Sequence, residues 1–255
     1  MKPLFKWAGG KTKLIKKYKE QDVLPKHFDS YIEPFLGGGA MFVWAYKQNP
    51  GAQFVLNDIN ESIINIYRAI KEDCDQFLVE LDLLSSEYLP LPEGTKRKDL
   101  ENRHAGDWKT IYSLDKSRRH FYYKLRYEHA YEWQNWSKTK EAACLYFLMK
   151  TCFNGIWREN APNAGRFGTP VGSINQKEVY DKDNILEWST ALQKAEILCG
   201  DFRETLPYVK CNSFVFLDPP YRDSFQYGVD FDDLIQEEVI DYVAESGRRE
   251  AHVMM

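Results

Sequence analysis

Apolar residues cluster first in two short runs, 28–33 (Phe-Asp-Ser-Tyr-Ile-Glu) and 53–56 (Gln-Phe-Val-Leu). Runs of this length, closed by polar residues, predict buried parallel strands. Between them Gly37-Gly38-Gly39 precedes a predicted helix over 40–47, and after Asp58 the residues Ile63, Ile66, Tyr67 and Ile70 fall on one helical face. Strand, glycine turn, helix, strand, helix is half of a doubly wound α/β fold. Strand character returns at 196–198, before Gly200-Asp201, and at 214–217, before Asp218. From 74 to 175 the pattern changes to aromatic and basic residues, with helices predicted over 116–133 and 139–152. Pro90, Pro92, Gly94 and Gly106 mark loops there, and the Gly-, Asn- and Pro-rich stretch 154–172 reads as an ordered loop or small hairpin. The expected fold is therefore α/β, a doubly wound Rossmann-like sheet over 1–73 and 176–255, interrupted by a mainly helical insertion over 74–175. Residues 251–255 read as a strand only just begun, so further C-terminal strands are expected beyond them.

Composition refines this only slightly. Hydrophobic residues make up 44% and charged residues 28% of 255 residues, enough for a sizeable core and against wholesale disorder. Five cysteines without metal-type spacing read as reduced thiols, and no apolar stretch suits a signal peptide or a membrane span. The expectation is a cytoplasmic, membrane-free protein with no metal, and a monomer. The net charge of −4 hides segregation: Lys2 to Lys26 contains eight lysines against Glu20 and Asp22, and Lys96 to Arg126 contains ten bases. Such stretches form either a phosphate-binding surface or an ordinary solvated face, and charge alone does not separate the two.

Candidate chemistry sits at the strand ends, where ligands bind in open α/β sheets. Asp218-Pro219-Pro220-Tyr221 follows directly on Phe214–Leu217. A carboxylate and a carbonyl held outward by two prolines can accept both hydrogens of an aromatic amine, whose delocalised lone pair makes it a poor nucleophile. Tyr221 adds a flat face for stacking. Glu33-Pro34-Phe35-Leu36-Gly37-Gly38-Gly39-Ala40 suits close approach of a nucleoside-type ligand, or simply a tight turn. Asp58, about twenty residues on, is where a carboxylate binds ribose hydroxyls. Asp201 ends a further strand and could reach an adenine amine or cap a helix. Lys6-Trp7-Ala8-Gly9-Gly10-Lys11-Thr12 is no phosphate loop, because Phe5 stands where a glycine is required and no strand precedes it.

Taken in order, Lys-Trp-Ala-Gly-Gly-Lys, Glu-Pro-Phe-x-Gly-Gly-Gly-Ala, Asn-Asp-Ile-Asn, Asn-Gly-x-x-Arg-x-Asn and Asp-Pro-Pro-Tyr resemble the Dam-type DNA adenine methyltransferases. These are alpha-group enzymes of the D12 class that methylate adenine N6, and the resemblance runs from Leu4 to about Phe231. It implies S-adenosylmethionine as cofactor, double-stranded DNA as partner and a base flipped out of the helix. By resemblance Trp7 and Lys11 line the cofactor pocket, Glu33, Phe35 and Gly37 continue it, Asp58 holds the ribose, and Asp201 and Phe202 contact the cofactor adenine. Asp218, Pro219, Pro220 and Tyr221 form the catalytic motif. Residues 153–173 are similar to the family's recognition hairpin, with Phe153 and Asn154 near the extruded adenine, Arg158 on a guanine edge and Pro170 on a thymine methyl. Ser173 stands where GATC-specific relatives tend to carry arginine, and extra residues lie around 161–164; both depart from a GATC target. Two alternatives remain at this level: a cytosine-N4 or RNA amino-methyltransferase, against which Asp218 speaks, and a catalytically silent module that binds cofactor and DNA.

Overall fold

A computed structural model describes residues 1–7, 11–94, 116–159, 165–219 and 233–255. The chain divides into two compact units, one comprising Met1–Leu4, Gly9–Lys71 and Asn184–Met255, the other Phe5–Ala8 and Glu72–Asp183.

The first unit is an α/β sheet. Its elements are α1 (Thr12–Glu20), β1 (Ser30–Glu33), α2 (Ala40–Gln48), β2 (Gln53–Leu56), α3 (Glu61–Glu72), α7 (Lys182–Leu192), β3 (Ala195–Ile197), β4 (Ser213–Phe216), α8 (Asp233–Arg248) and β5 (His252–Met254). Five strands pair in the order β3-β2-β1-β4-β5, every pairing parallel. The register explains the composition of each face. Tyr31 lies opposite Phe54 and Phe214, and Ile32 opposite Val55 and Val215. Alternation therefore builds one aromatic and one aliphatic face. On the aromatic side Phe28, Trp44 and Phe214 pack with centroids 5.6–6.1 Å apart, and Phe42 meets Phe54 edge-on at 5.3 Å. On the aliphatic side Ile32, Val55 and Val215 pack with Phe202, Val239 and Tyr242. With both faces covered, every residue of β1 and β4 is buried.

Strand order reverses between β1 and β4, because β2 and β3 continue to one side and β5 to the other. The crevice above the carboxyl ends of β1 and β4 is thus the switch point of the sheet, where ligands bind in folds of this kind.

The described residues of the second unit include three α-helices, α4 (Cys74–Tyr88), α5 (Arg118–Tyr131) and α6 (Lys138–Thr151), and a bridged segment after α6. Ser117 and Ser137 start α5 and α6 by accepting the main-chain N–H groups of His120 and Lys140. Nearly every residue of α6 from Glu141 to Thr151 is buried, as expected of a helix apolar on all sides. Tyr88, Phe121 and Phe147 form a ring cluster with centroids 5.2–5.8 Å apart. Two of the bases read as a possible phosphate surface are interior instead: Arg119 is 4% and Arg126 7% exposed. Arg118 donates to the carbonyls of Ile174 and Gln176 at 2.8 and 2.9 Å, and also to that of Leu89. Lys96, Arg97, Lys98, Arg103 and Lys109 lie outside the described residues.

Gly39 sets the entry into α2 with φ +67°, and a β-carbon there would sit 2.6 Å from the Trp188 ring. Gly39→Ala is expected to lower stability by about 1–3 kcal/mol, measured as a fall in the urea midpoint with unchanged slope.

Candidate active site

Three strand-end loops converge in the first unit, and Asn57 joins them. This residue is fully buried. Its main-chain N–H donates to Glu33 O at 2.9 Å and its carbonyl accepts from Leu36 N at 2.8 Å. Its side-chain amide donates to Pro34 O and Gly200 O, both at 3.0 Å. The loops after β1, β2 and β3 are therefore held by one side chain. Asn57 opens the Asn-Asp-Ile-Asn motif, which by itself assigns it no task.

Asp58 accepts the Gly37 N–H at 2.8 Å on one oxygen and the Asn60 N–H at 3.0 Å on the other, with the Ile59 N–H also directed at the carboxylate. Burial raises its pKa while these N–H groups lower it. The Tyr67 hydroxyl donates to Gly37 O at 2.8 Å, so both main-chain groups of this turn are fixed. Phe35 stacks on Phe202 with centroids 5.4 Å apart and planes 27° from parallel. Asp201 has a second occupation: it caps the short helix Phe202–Tyr208 in a reciprocal arrangement with Glu204, and both its oxygens accept from the Arg203 guanidinium, at 2.7 and 2.8 Å. The Asp201-x-x-Glu204 spacing is itself a capping-box signature and could have been read as one.

Glu33 is 3% exposed and accepts the Tyr31 hydroxyl at 2.8 Å. Burial pushes its pKa well up, the Tyr31 hydrogen bond opposes this, the charge of Asp218 adds to the rise, and the Phe42 N–H lowers it. Its carboxyl is an interior group, closed off from solvent.

Asp218 follows β4 directly. The Lys11 ammonium lies 2.7 Å from its Oδ1, with the lysine side chain 9% and the aspartate 30% exposed. Burial raises the Asp218 pKa, and the hydrogen bond and charge of Lys11 pull it back. Sequence reasoning had placed Lys11 in the cofactor pocket and Asp218 at the reaction centre; the fold makes them partners. Pro219 is half-buried beside Asp218, while Pro220 and Tyr221 lie outside the described residues.

In the second unit, Trp7 packs against Phe5 and Trp157 with centroids 6.0 and 6.2 Å away. Residues 152–159 and 165–172 run as two arms, bridged at Cys152–Val171 and Glu159–Phe167. Gly168 N donates to Arg158 O at 2.7 Å and Phe153 N to Pro170 O at 2.9 Å. Phe153, Asn154, Arg158 and Pro170 are all exposed, while Gly155, Trp157, Phe167 and Thr169 are buried. Asn154 and Gly155 turn the chain with φ of 55° and 66°, and a β-carbon on Gly155 would collide with Lys6. A β-carbon on Gly172 would collide with the Cys152 carbonyl, so the base of the hairpin closes only on glycine. Residues 161–164 lie outside the described residues.

A sequence profile described as D12 class N6 adenine-specific DNA methyltransferase matches residues 7–239. The chain belongs to this family. Among its relatives, the type II methyltransferase M.MjaIII of Methanocaldococcus jannaschii is 35% identical over 87% of the chain and 70% of that protein. The type II methyltransferase M.CviBI of Paramecium bursaria Chlorella virus NC1A is 32% identical, over 89% and 72%. The DNA adenine methylase of Haemophilus influenzae is 25% identical, over 86% of the chain and 64% of its own length. Among the described residues of this methyltransferase no helix is long and apolar enough to cross a membrane.

The sealed Glu33 carboxyl has a pH consequence. Its folded-state pKa lies above the unfolded one, so folding retains a proton between the two values and stability falls as pH rises through that window. Glu33→Gln keeps an oxygen to accept from Tyr31 and removes the titration. Its stability should exceed the parent's above neutral pH and the gap should close towards about pH 4, measured by urea unfolding across that range.

Proposed function

We propose that this chain transfers a methyl group from S-adenosylmethionine to the N6 amine of an adenine rotated out of double-stranded DNA at a specific site. The observation that carries the proposal is the Asp218 carboxylate at the switch point of the sheet, with a buried lysine ammonium 2.7 Å away.

The first unit is the cofactor-binding and catalytic part in this reading. Its strand-end groups fit a nucleoside sulfonium: the Gly37 turn allows close main-chain approach, Asp58 offers lone pairs to ribose hydroxyls, and Phe35 with Phe202 offers a flat apolar surface to an adenine ring. When bound, the cofactor supplies an electrophilic methyl group. Glu33, buried and accepting from Tyr31, shapes the loop from behind. Asp201, engaged by Arg203, acts through the helix it caps, so Phe202 provides the contact surface of that loop.

At the reaction centre Asp218 accepts one amine hydrogen and the Pro219 carbonyl accepts the other. This draws the amine nitrogen away from planarity and frees its lone pair. Lys11 keeps Asp218 ionised against the desolvation of the crevice. Pro220 and Tyr221, by resemblance, complete the corner and stack on the flipped base. The second unit is the target-recognition part: its four exposed hairpin residues, Phe153, Asn154, Arg158 and Pro170, present an amide, a guanidinium and apolar surface suited to base edges in a major groove.

Asp218→Ala should lower turnover by about a thousandfold or more while retaining affinity for S-adenosylhomocysteine by calorimetry. Mass spectrometry of digested, treated DNA should find N6-methyladenine with the parent protein. Near-normal turnover in the variant, or a different modified base with the parent, defeats the proposal.

Lys11→Met removes the charge that pulls the Asp218 pKa down, so that pKa rises. The ionised form is then lost at higher pH, and the acidic limb of the turnover profile should shift upward. Activity near pH 6 should therefore fall by a larger factor than activity near pH 8, as read from single-turnover rates across pH.

A further inference from the structure

Three residues of the hairpin's returning arm, Arg166, Gly168 and Thr169, are fixed by side chains from α5 and α6 and the short turn between them. The Arg166 guanidinium pairs with Glu141 of α6 and lies 4.1 Å above the centre of the Trp133 ring. His129 of α5 presents Nε2 to the same guanidinium at 3.4 Å. From α5, Arg126 donates to Gly168 O at 2.9 Å and to Thr169 O at 3.0 Å, and the Tyr122 hydroxyl donates to Thr169 O at 2.8 Å. Arg126 is itself stacked 4.7 Å over the Tyr123 ring. Pro170 follows this fixed segment at once, and Arg158 is hydrogen-bonded across from it through Gly168.

We infer that the Arg166–Glu141 ion pair, backed by Arg126, is a clamp that sets target specificity by positioning the hairpin. This rests on the reading of residues 153–173 as the recognition hairpin. Arg126 and Arg166 are then positioning residues, and neither needs to touch DNA.

The chemistry favours this assignment. Glu141 is 7% and His129 1% exposed, and the Arg166 side chain is 17% exposed. Burial, assisted by Arg166, lowers the His129 pKa to about 3, so the imidazole is neutral and adds no competing cation. The exposed Lys138 stands 4.0 Å from the far oxygen of Glu141, too distant to replace a stacked guanidinium. A paired, mostly buried charge is a poor source of net stability but a strong constraint on geometry, because any other position of the arm strands a charge. Reading a base edge by paired hydrogen bonds depends on placement to a fraction of an ångström, and the exposed Arg158 and Pro170 take their placement from this backbone.

The test uses the full chain and three variants: Arg166→Met, Arg166→Lys, and Glu141→Met combined with Arg166→Met. The double variant removes both charges together, so it guards against a single variant that merely fails to fold. Modification-sensitive sequencing of treated DNA defines the parent's target, and kcat/KM is then compared between that target and sites changed at one base. The expected result is a discrimination ratio reduced about tenfold or more in Arg166→Met and in the double variant. Arg166→Lys should retain part of the ratio. Amide hydrogen exchange over residues 165–172 should accelerate about tenfold, while affinity for S-adenosylhomocysteine stays within about twofold of the parent. Unchanged discrimination in a folded double variant, or unchanged exchange over 165–172, overturns the clamp alone. A parent protein that methylates DNA with no site preference overturns the clamp together with the recognition reading.

Discussion

Parallel strands covered on both faces can present polar chemistry only at their ends. In this chain β1 and β4 carry aromatic residues on one side and aliphatic residues on the other, with no residue of either strand left to solvent. Glu33, Asp58, Asp201 and Asp218 stand at or just beyond a strand terminus because hydrogen-bonded strand interiors could not satisfy their charges. The order β3-β2-β1-β4-β5 then opens the crevice at one position. Within it three carboxyl groups meet unlike surroundings: Asp218 faces the Lys11 ammonium, Asp58 is held by main-chain amides, and Glu33 is buried against the Tyr31 hydroxyl. One fold position thus gives three carboxyl groups three different local environments.

Much of this was legible in the order of residues along the chain. The strand predicted over 53–56 is β2 to the residue, and the helices predicted over 116–133 and 139–152 are α5 and α6 with their ends shifted by a residue or two. Periodicity and short apolar runs are local signals, and these elements are locally encoded. Helices α1, α4, α7 and α8 escaped. In α4, Val79 and Leu83 face outward at 48% and 60% exposure, which blurs the contrast between its faces. The strand-end positions of Glu33, Asp58 and Asp218 were also legible, because each ends or follows a short apolar run.

What could not be read is pairing between distant segments. Lys11 and Asp218 come from opposite ends of the sequence, and no spacing rule joins them. Asn57 looks like any polar residue beside an aspartate until its amide is seen to bond two loops at once. The arginines of α5 were the most misleading, since charge alone reads as surface. Arg119 and Arg126 are interior, and the guanidinium of Arg126 meets carbonyls rather than solvent. A buried arginine with partners contributed by another segment leaves no trace in local composition.

The hairpin base has a further consequence. Gly172 and the Cys152 carbonyl approach so closely that neither can accept a larger neighbour, whereas the residues that face outward between them meet no such limit. The hairpin therefore has a natural pair of splice points. Under the proposed recognition role, exchange of the outward residues between Cys152 and Gly172, with Gly155, Trp157, Arg166, Phe167, Gly168 and Thr169 left in place, would alter what is read without disturbing how the loop is seated. Laboratory recombination of hairpins between relatives should respect that same boundary.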